Sequence, residues 1–588
     1  MREVTGRRLT GPNRWLSTPG VAVVVRDPAF VDASAHAVAF AAFEAFVRDA
    51  YAALGWTSPT LVATCRETDD PGLAEAVWVA TGPLDRLYAA TALCEAAAAA
   101  DLAAEDARGA CLEAAAGEDD FEGDERLLAL EAAADAAGVP FLWDDDALSI
   151  GWGPGCRVWT RADAPADAAA AVADGLAAAP PVGRIPVAMI TGTNGKTTTT
   201  RMLSRIARAA GRHVGATSTD GLTMDGELVE RGDWTGPGGA RTVLRDPRVE
   251  LAVLETARGG LLRRGLSTTG VGAAAVTNVS DDHLGEWGVD DIAAMAEVKL
   301  LVAGAVRAGG RLVLRDDPIL RAAAANARLA AGVRIHWLRS DDAGGEGVVA
   351  WLDDADGSAP TLVFDCGGVE GDRPPLRVPA RDVPLCIGGA ARHNVENALC
   401  AGLLARGLGL PDRAIVAGLT ELQPAPSDSP GRSNLFTLGG ARVLLDFGHN
   451  PDGVRRVAEL AARVPASRRL VVIGQAGDRT DAEIAGLVDG LLGCAPDVWI
   501  LKAMPRVARG RPEGEVVALL QKTLRDRGVP DAAVHVQPSE DAAAVAALDA
   551  LQPGDLLLLL AHENPPAVLA RVMERAPTLG WPLAPQAG

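Results

Sequence analysis

The run Thr191-Gly-Thr-Asn-Gly-Lys-Thr197 is where residue types and spacing in this chain point most directly to chemistry. Glycines at 192 and 195 let the backbone bend so that its N–H groups surround phosphate oxygens. A helix starting there would add the partial positive charge of its N-terminus. Lys196 is spaced to reach the β and γ phosphates of ATP, and the Thr197 hydroxyl to hold Mg2+. Gly192, Thr193, Asn194, Gly195, Lys196, Thr197 and Thr198 are therefore the candidate nucleotide contacts. One feature departs from the usual loop: Ile190 stands where its first glycine would be. A metal bridging the phosphates needs hard ligands at strand ends facing this loop. Glu255 closes the apolar run 251–254, and Asn278-Val-Ser-Asp-Asp-His-Leu-Gly285 supplies His283 and Asp282. Taken singly, such a Glu is a common loop acid and such a His a capping residue.

Parallel strands must position these groups. The span 184–422 alternates short apolar or β-branched runs with helical ones, as a parallel α/β sheet does. Strands are expected at 185–191, 251–255, 273–277 and 311–314, with a helix over 198–210. The polar breaker Gln423-Pro-Ala-Pro-Ser-Asp-Ser-Pro-Gly431 reads as an interdomain linker. Beyond it a second α/β pattern places strands at 441–446, 469–473, 497–501 and 555–561. The helix 453–464 of that pattern is stopped by Pro465. Residues 1–183 are rich in alanine and acids, with helical runs over 35–54 and 85–115. A chain of 588 residues exceeds one hydrophobic core. Three domains are expected, at 1–183, 184–422 and 423–588.

Composition excludes some classes. A net charge of −21 argues against a nucleic-acid binder, which needs a basic surface. No stretch approaches the roughly 20 apolar residues of a membrane span. The N-terminus has charges but no apolar core behind them, so a secretory signal is not expected. Eight cysteines without a Cys-x-x-Cys pair fit free thiols in a reducing cytoplasm and leave no structural zinc site.

Further motifs occur in a fixed order. Asp233-Trp-Thr-Gly-Pro-Gly-Gly-Ala-Arg241, Leu254-Glu-Thr-Ala-Arg-Gly-Gly-Leu-Leu-Arg263 and His393-Asn-Val-Glu-Asn-Ala398 flank the metal candidates. Pro430-Gly-Arg432, Asp446-Phe-Gly-His-Asn-Pro451, Gly474-Gln-Ala-Gly-Asp-Arg479 and Ala561-His-Glu563 follow the linker. Together with the phosphate loop they resemble the Mur ligase family, most closely the Mur-like portion of the cyanophycin synthetases, over about 185–565. The resemblance implies a P-loop parallel-sheet central domain and a Rossmann-like C-terminal domain, preceded by a divergent α+β domain. It implies ATP and Mg2+, with Glu255 and His283 as magnesium ligands beside Thr197 and with Asp282 ordering their segment. Lys299, in Ala296-Glu-Val-Lys-Leu-Leu301, matches a position that several members carbamylate, and unmodified it could neutralise phosphate charge. Asn394 resembles the adenine-side contact and Arg432 the arginine reaching ATP from the third domain. Asp446, His449 and Asn450 resemble the loop that closes over nucleotide and amine.

The implied activity is ADP-forming ligation of a carboxylate to an amine through an acyl phosphate. Amino acids or peptides are the expected substrates, without nucleic acid or membrane, and a homo-oligomer is compatible. Leu9-Thr-Gly-Pro-Asn-Arg-Trp15 and the stretch 139–153 resemble the start of the cyanophycin synthetases. About 30 residues then separate Gly153 from the first strand of the second domain, too few for an ATP-grasp module. A single ligation centre is expected. The rivals are a small-molecule amide ligase and a catalytically reduced partner of another ligase, against which Lys196, Thr197, Glu255 and His283 speak.

Overall fold

The computed structural model describes the chain except residues 1, 69, 71, 105, 282–283, 286, 342–343, 355–358, 367–372, 577 and 582–588. The central domain is built on one eleven-stranded sheet. Its order is Glu227–Arg231, Gly221–Met224, Val214–Thr217, Leu251–Glu255, Val187–Thr191, Val271–Val276, Val306–Arg315, Arg334–Leu338, Val348–Asp353, Thr361–Phe364 and Leu376–Pro379. The strands from 214–217 to 348–353 run parallel, and the two at each edge are antiparallel. Strands 187–191, 251–255 and 271–276 are buried at every residue, which a parallel sheet covered on both faces requires. Helices Lys196–Ala209, Arg392–Gly407 and Asp412–Glu421 pack on one face. Helices Pro237–Arg245, Arg258–Arg264, Ile292–Lys299 and Pro318–Ala324 pack on the other. Strand 187–191 has 251–255 on one side and 271–276 on the other, the kind of position where an open α/β sheet leaves a crevice at its carboxyl edge.

The C-terminal domain holds a seven-stranded sheet ordered Val534–Gln537, Val498–Lys502, Arg469–Ile473, Leu556–Leu560, Ala441–Asp446, Asn434–Leu438 and Thr578–Leu579, with the first five parallel. Helices Pro451–Arg463, Asp481–Leu492 and Glu515–Asp526 cover one face; Glu540–Asp549 and Pro565–Arg575 cover the other. At the carboxyl edge Lys502 is fully buried and donates to Glu540 and to the Leu560 carbonyl. Glu540 also accepts from the backbone N–H groups of His562, Glu563 and Asn564, fixing the turn after strand 556–560. Burial opposes its ionisation, but Lys502 and these N–H donors hold its carboxyl down at about 2.

The N-terminal domain is α+β. Its antiparallel sheet, ordered Glu3–Leu9, Gly20–Asp27, Ala74–Thr81 and Leu61–Glu67, carries helices Ala33–Ala53 and Leu87–Ala99 on one face. A three-stranded meander, Phe141–Trp143, Ala147–Ile150 and Arg157–Thr160, follows. The domain is tied to the central one by Arg14, which donates to the Gly288 carbonyl (2.8 Å), and by Arg245 paired with Asp144. None of the eight cysteines forms a disulfide; six are buried, and Cys65 is exposed on the edge strand 61–67.

Several expected bounds shift. The run 85–115 is two helices, Leu87–Ala99 and Ala107–Ala116, with a break between. Alanine propensity favours one long helix, but the Asp101 carboxylate caps a turn by accepting from the Ala103 N–H (3.2 Å). The strand expected at 311–314 starts at Val306, and that at 273–277 runs Val271–Val276, leaving Thr277 in the turn beyond. The helix after the phosphate loop starts at Lys196, and that after the 446–451 loop at Pro451, a residue favoured at a first helical position.

Candidate functional site

The phosphate loop links strand Val187–Thr191 to helix Lys196–Ala209. Gly192 has φ 148°, and a Cβ there would lie 1.9 Å from the Thr277 hydroxyl. Gly195 has φ 83°, and its Cβ would lie 2.2 Å from Asn397 Oδ1. Both positions therefore exclude other side chains. The loop is fastened to the end of the neighbouring strand. Thr193 N–H donates to the Asn278 carbonyl (2.9 Å), and Asn194 N–H to Asn278 Oδ1 (2.9 Å). The Asn194 carbonyl accepts from Thr277 Oγ1 (2.6 Å) and Asn278 Nδ2 (2.9 Å). Lys196 Nζ folds onto the Thr193 carbonyl (2.9 Å), and the Thr197 and Thr219 hydroxyls lie 3.2 Å apart. Thr198 is buried on the first turn of the helix.

Glu255 ends the strand beside the phosphate-loop strand and is 2% exposed. Neither of its carboxylate oxygens accepts a well-formed hydrogen bond, although the Thr197 hydroxyl is near enough to favour the ionised form. Burial pushes its pKa up, against the pull of Lys196 and Arg432. A buried carboxylate in this state costs several kcal/mol unless something completes it, typically about 1–3 kcal/mol per unsatisfied group and more when charged. A divalent cation fits that requirement, with Thr197 as a second oxygen ligand. Among the described residues no group of three or more His, Cys, Asp or Glu gathers to hold a metal by itself. Mg2+ does not need one, since it commonly binds through one or two carboxylates with substrate phosphates and water. His283 and Asp282 lie outside the described residues. Lys299 is buried at the last residue of helix Ile292–Lys299.

The C-terminal domain supplies the facing wall. Arg432 Nη2 donates to Thr219 Oγ1 (3.4 Å), lies 3.7 Å from Asp220, and sits 5.7 Å from the centre of the Phe447 ring. Asp446 accepts from Ser433 N–H (2.8 Å) and Gly448 N–H (2.8 Å), shaping the 446–451 loop. The His449 carbonyl accepts from Gln475 Nε2 (2.7 Å). Asn450 caps helix Pro451–Arg463 and exchanges side-chain amide bonds with Asn194 of the phosphate loop (3.1 and 3.2 Å). Asn394 is buried, donating to the Leu385 carbonyl (3.0 Å) and accepting from Asn397 Nδ2 (3.2 Å).

The geometry thus brings Lys196, Thr197, Glu255, Arg432 and Asn450 together, with Asp446 and His449 on the 446–451 loop beside them. It sets Asn394 behind the phosphate loop, reaching it through Asn397. It also adds residues that sequence reasoning passed over. Asp220 follows strand Val214–Thr217 and pairs with Arg201 (2.8 Å) as well as approaching Arg432. An acid just past a strand end on the phosphate-loop side was the available signal. Asn278, the first residue of the 278–285 motif, anchors the loop.

Residues 190–405 match the Mur ligase middle domain, and residues 431–562 the Mur ligase glutamate ligase domain. Cyanophycin synthetase of Trichormus variabilis is 37% identical over 399 residues, 67% of this chain and 43% of that one. UDP-N-acetylmuramate--L-alanine ligase of Kineococcus radiotolerans is 31% identical over 385 residues, 64% of this chain and 71% of that one. A bifunctional folylpolyglutamate synthase/dihydrofolate synthase from Yersinia pestis, crystallised with AMPPNP and Mn, superposes with a TM-score of 0.47 at 21% identity, covering 66% and 88% of the two chains. The chain spans less than half the length of the cyanophycin synthetase that it matches. No helix among the described residues is long and apolar enough to cross a membrane.

Proposed function

The chain belongs to the Mur ligase family, and from that premise we propose that it joins a carboxylate to an amine with ATP as the activating substrate. The carboxylate oxygen attacks the γ-phosphorus, the bond to the β-phosphate oxygen breaks, and ADP leaves with that electron pair. The amine lone pair then attacks the acyl carbon, the carbon–oxygen bond to phosphate breaks, and the amine proton passes to phosphate or solvent. Positioning and charge neutralisation, not a protein nucleophile, carry the acceleration.

The observation that best supports this reading is the buried Glu255 carboxylate, without a well-formed hydrogen bond, beside Lys196 and approached by Arg432 from another domain. The N–H groups of residues 192–198 and the Lys196 ammonium hold the phosphates. Glu255 and Thr197, with His283, hold Mg2+, which when bound screens the phosphate charge. Arg432 reaches the nucleotide, Asn394 supports its adenine side, and Lys299 adds positive charge or carries a carbamate. Asp446, His449 and Asn450 exclude water from the acyl phosphate, which would otherwise hydrolyse. The amine is an amino acid, as the name of the Kineococcus ligase suggests by analogy, and the acceptor an amino acid or peptide carboxylate. We place the protein in the cytoplasm, where its thiols stay reduced, and a homo-oligomer is compatible with this reading.

One centre predicts one ATP consumed per amide and a defined product. Mass spectrometry of a reaction with aspartyl peptides, arginine, lysine and ATP should give a single added residue. A ladder repeating a two-residue increment, or no nucleotide turnover with any pair, overturns the single-centre ligase. Glu255→Ala should raise the Mg2+ concentration at half-maximal activity by at least roughly 10- to 100-fold, the scale seen on losing a group that merely supports a metal ligand. An unchanged magnesium titration removes Glu255 from the metal site.

A further inference from the structure

A buried chain of ion pairs crosses the boundary between the central and C-terminal domains beside the phosphate loop. Arg456, on helix Pro451–Arg463, donates from Nη1 to Glu396 (2.7 Å) and from Nε to Asp452 (2.8 Å). Glu396, on helix Arg392–Gly407 of the central domain, also accepts from Ser340 Oγ (2.8 Å) and pairs with Arg315 (3.1 Å). The Arg456 and Glu396 side chains are 8% and 6% exposed. At the other end Asp452 accepts from Asn194 Nδ2 (3.2 Å), beside the reciprocal Asn194–Asn450 amide pair. Burial opposes the charge on Glu396, Asp452 and Arg456. Even so, Arg456 and Arg315 hold Glu396 below the usual carboxylate range, the arginines 456 and 455 do so for Asp452, and the two acids raise Arg456.

We propose that Asp452, Arg456 and Glu396 are positioning residues that lock the C-terminal domain onto the phosphate loop, so that breaking and making this chain opens and closes the nucleotide site. Thr277 and Asn278 fix the Asn194 backbone to the central sheet, which leaves its side chain to register where the other domain stands. The halves of the Arg456–Glu396 pair sit on different domains. Such a pair has an alternative to unfolding: the domains part and both charges hydrate. Losing one partner strands the other charge in the interface and favours opening. Losing both removes that stranded charge, while Asp452 keeps Arg455 and the part-exposed Arg315 can hydrate, so closure should be partly restored, the non-additive signature of a direct coupling. The assignment rests on the ligase reading only for its activity readout.

The test compares wild type, Glu396→Gln, Arg456→Met and the double variant in the full chain. Ligand-free small-angle X-ray scattering, kcat and KM for ATP, and thermal unfolding are measured for each. Wild type should scatter as the compact arrangement. Each single variant should show a larger radius of gyration and a kcat lowered about 10- to 100-fold, a typical coupling magnitude, with unchanged melting. The double variant should regain part of the compactness and about tenfold in kcat. Unchanged radius and kcat in the single variants overturn the lock, as does a loss of activity that only follows a loss of melting temperature. Failure of the ligase reading itself would appear as inactive wild type, while the scattering comparison still decides the lock.

Discussion

Lys196→Ala should abolish ATP turnover, lowering kcat/KM at least ~10³-fold, the scale of removing a charge that stabilises a transferring phosphoryl group. Among the charges around Glu255 the ammonium does most to favour its ionised form, and it donates to the Thr193 carbonyl within its own loop. The substitution therefore removes one hydrogen bond from the resting protein, worth about 1 kcal/mol. It packs against no core, so the melting curve should move little. Steady-state ATP hydrolysis with and without amino acids, alongside calorimetry, checks both halves. Wild-type turnover in the variant would place the nucleotide elsewhere; a collapsed melting curve would mean that the lysine supports the fold.

Lys502→Met should be the most destabilising single change in the C-terminal domain, at about 3–5 kcal/mol, because it leaves Glu540 buried and ionised without its counter-charge. For a domain of this size that lowers the melting temperature by on the order of 10 °C. The same cluster sets an acid limit. Burial and the nearby Lys502 push His562 down to about 3, so below its ordinary value of 6.5 the unfolded chain takes up a proton that the folded one refuses. Glu540, held at about 2 against 4.5, adds the same effect at lower pH. The unfolded state binds more protons throughout, so stability falls as pH drops from about 6.5 towards 2. Denaturant melts at pH 7, 5 and 4 check this slope. A flat profile in wild type, or melting of Lys502→Met within 2 °C of wild type, would show that the buried pair does not hold the turn.

The nucleotide loop was legible in the sequence because its glycines are needed for local reasons, a close approach at 192 and a positive φ at 195. Strands 251–255, 441–446 and 469–473 are built on short apolar runs with clear ends, and the structure places them at those residues. The break after Ala99 was not legible, since the alanine runs on either side outweigh its one local signal, the turn-capping Asp101. The ion chain was hidden for a different reason. Glu396 and Arg456 are 60 residues apart, and each looks locally like an ordinary charge on a helix. Asp220 and Arg432 are likewise distant in sequence and meet only through the two domains. The long-range half of the site is a property of the fold, and no local pattern announces it.

The placement of the cysteines has a consequence for redox chemistry. Thiolates, not thiols, react with peroxides and disulfides. Burial pushes Cys94 up to about 12 and Cys156 and Cys494 to about 11, and raises Cys386 and Cys400 further still. The exposed sulfur, Cys65, sits on the outer strand of the N-terminal sheet. Neither the phosphate loop nor the 446–451 loop contains a cysteine. Burial also raises Cys65, so what sets it apart is access alone, and oxidant reaches sulfur first on the rim of a different domain from the nucleotide loop.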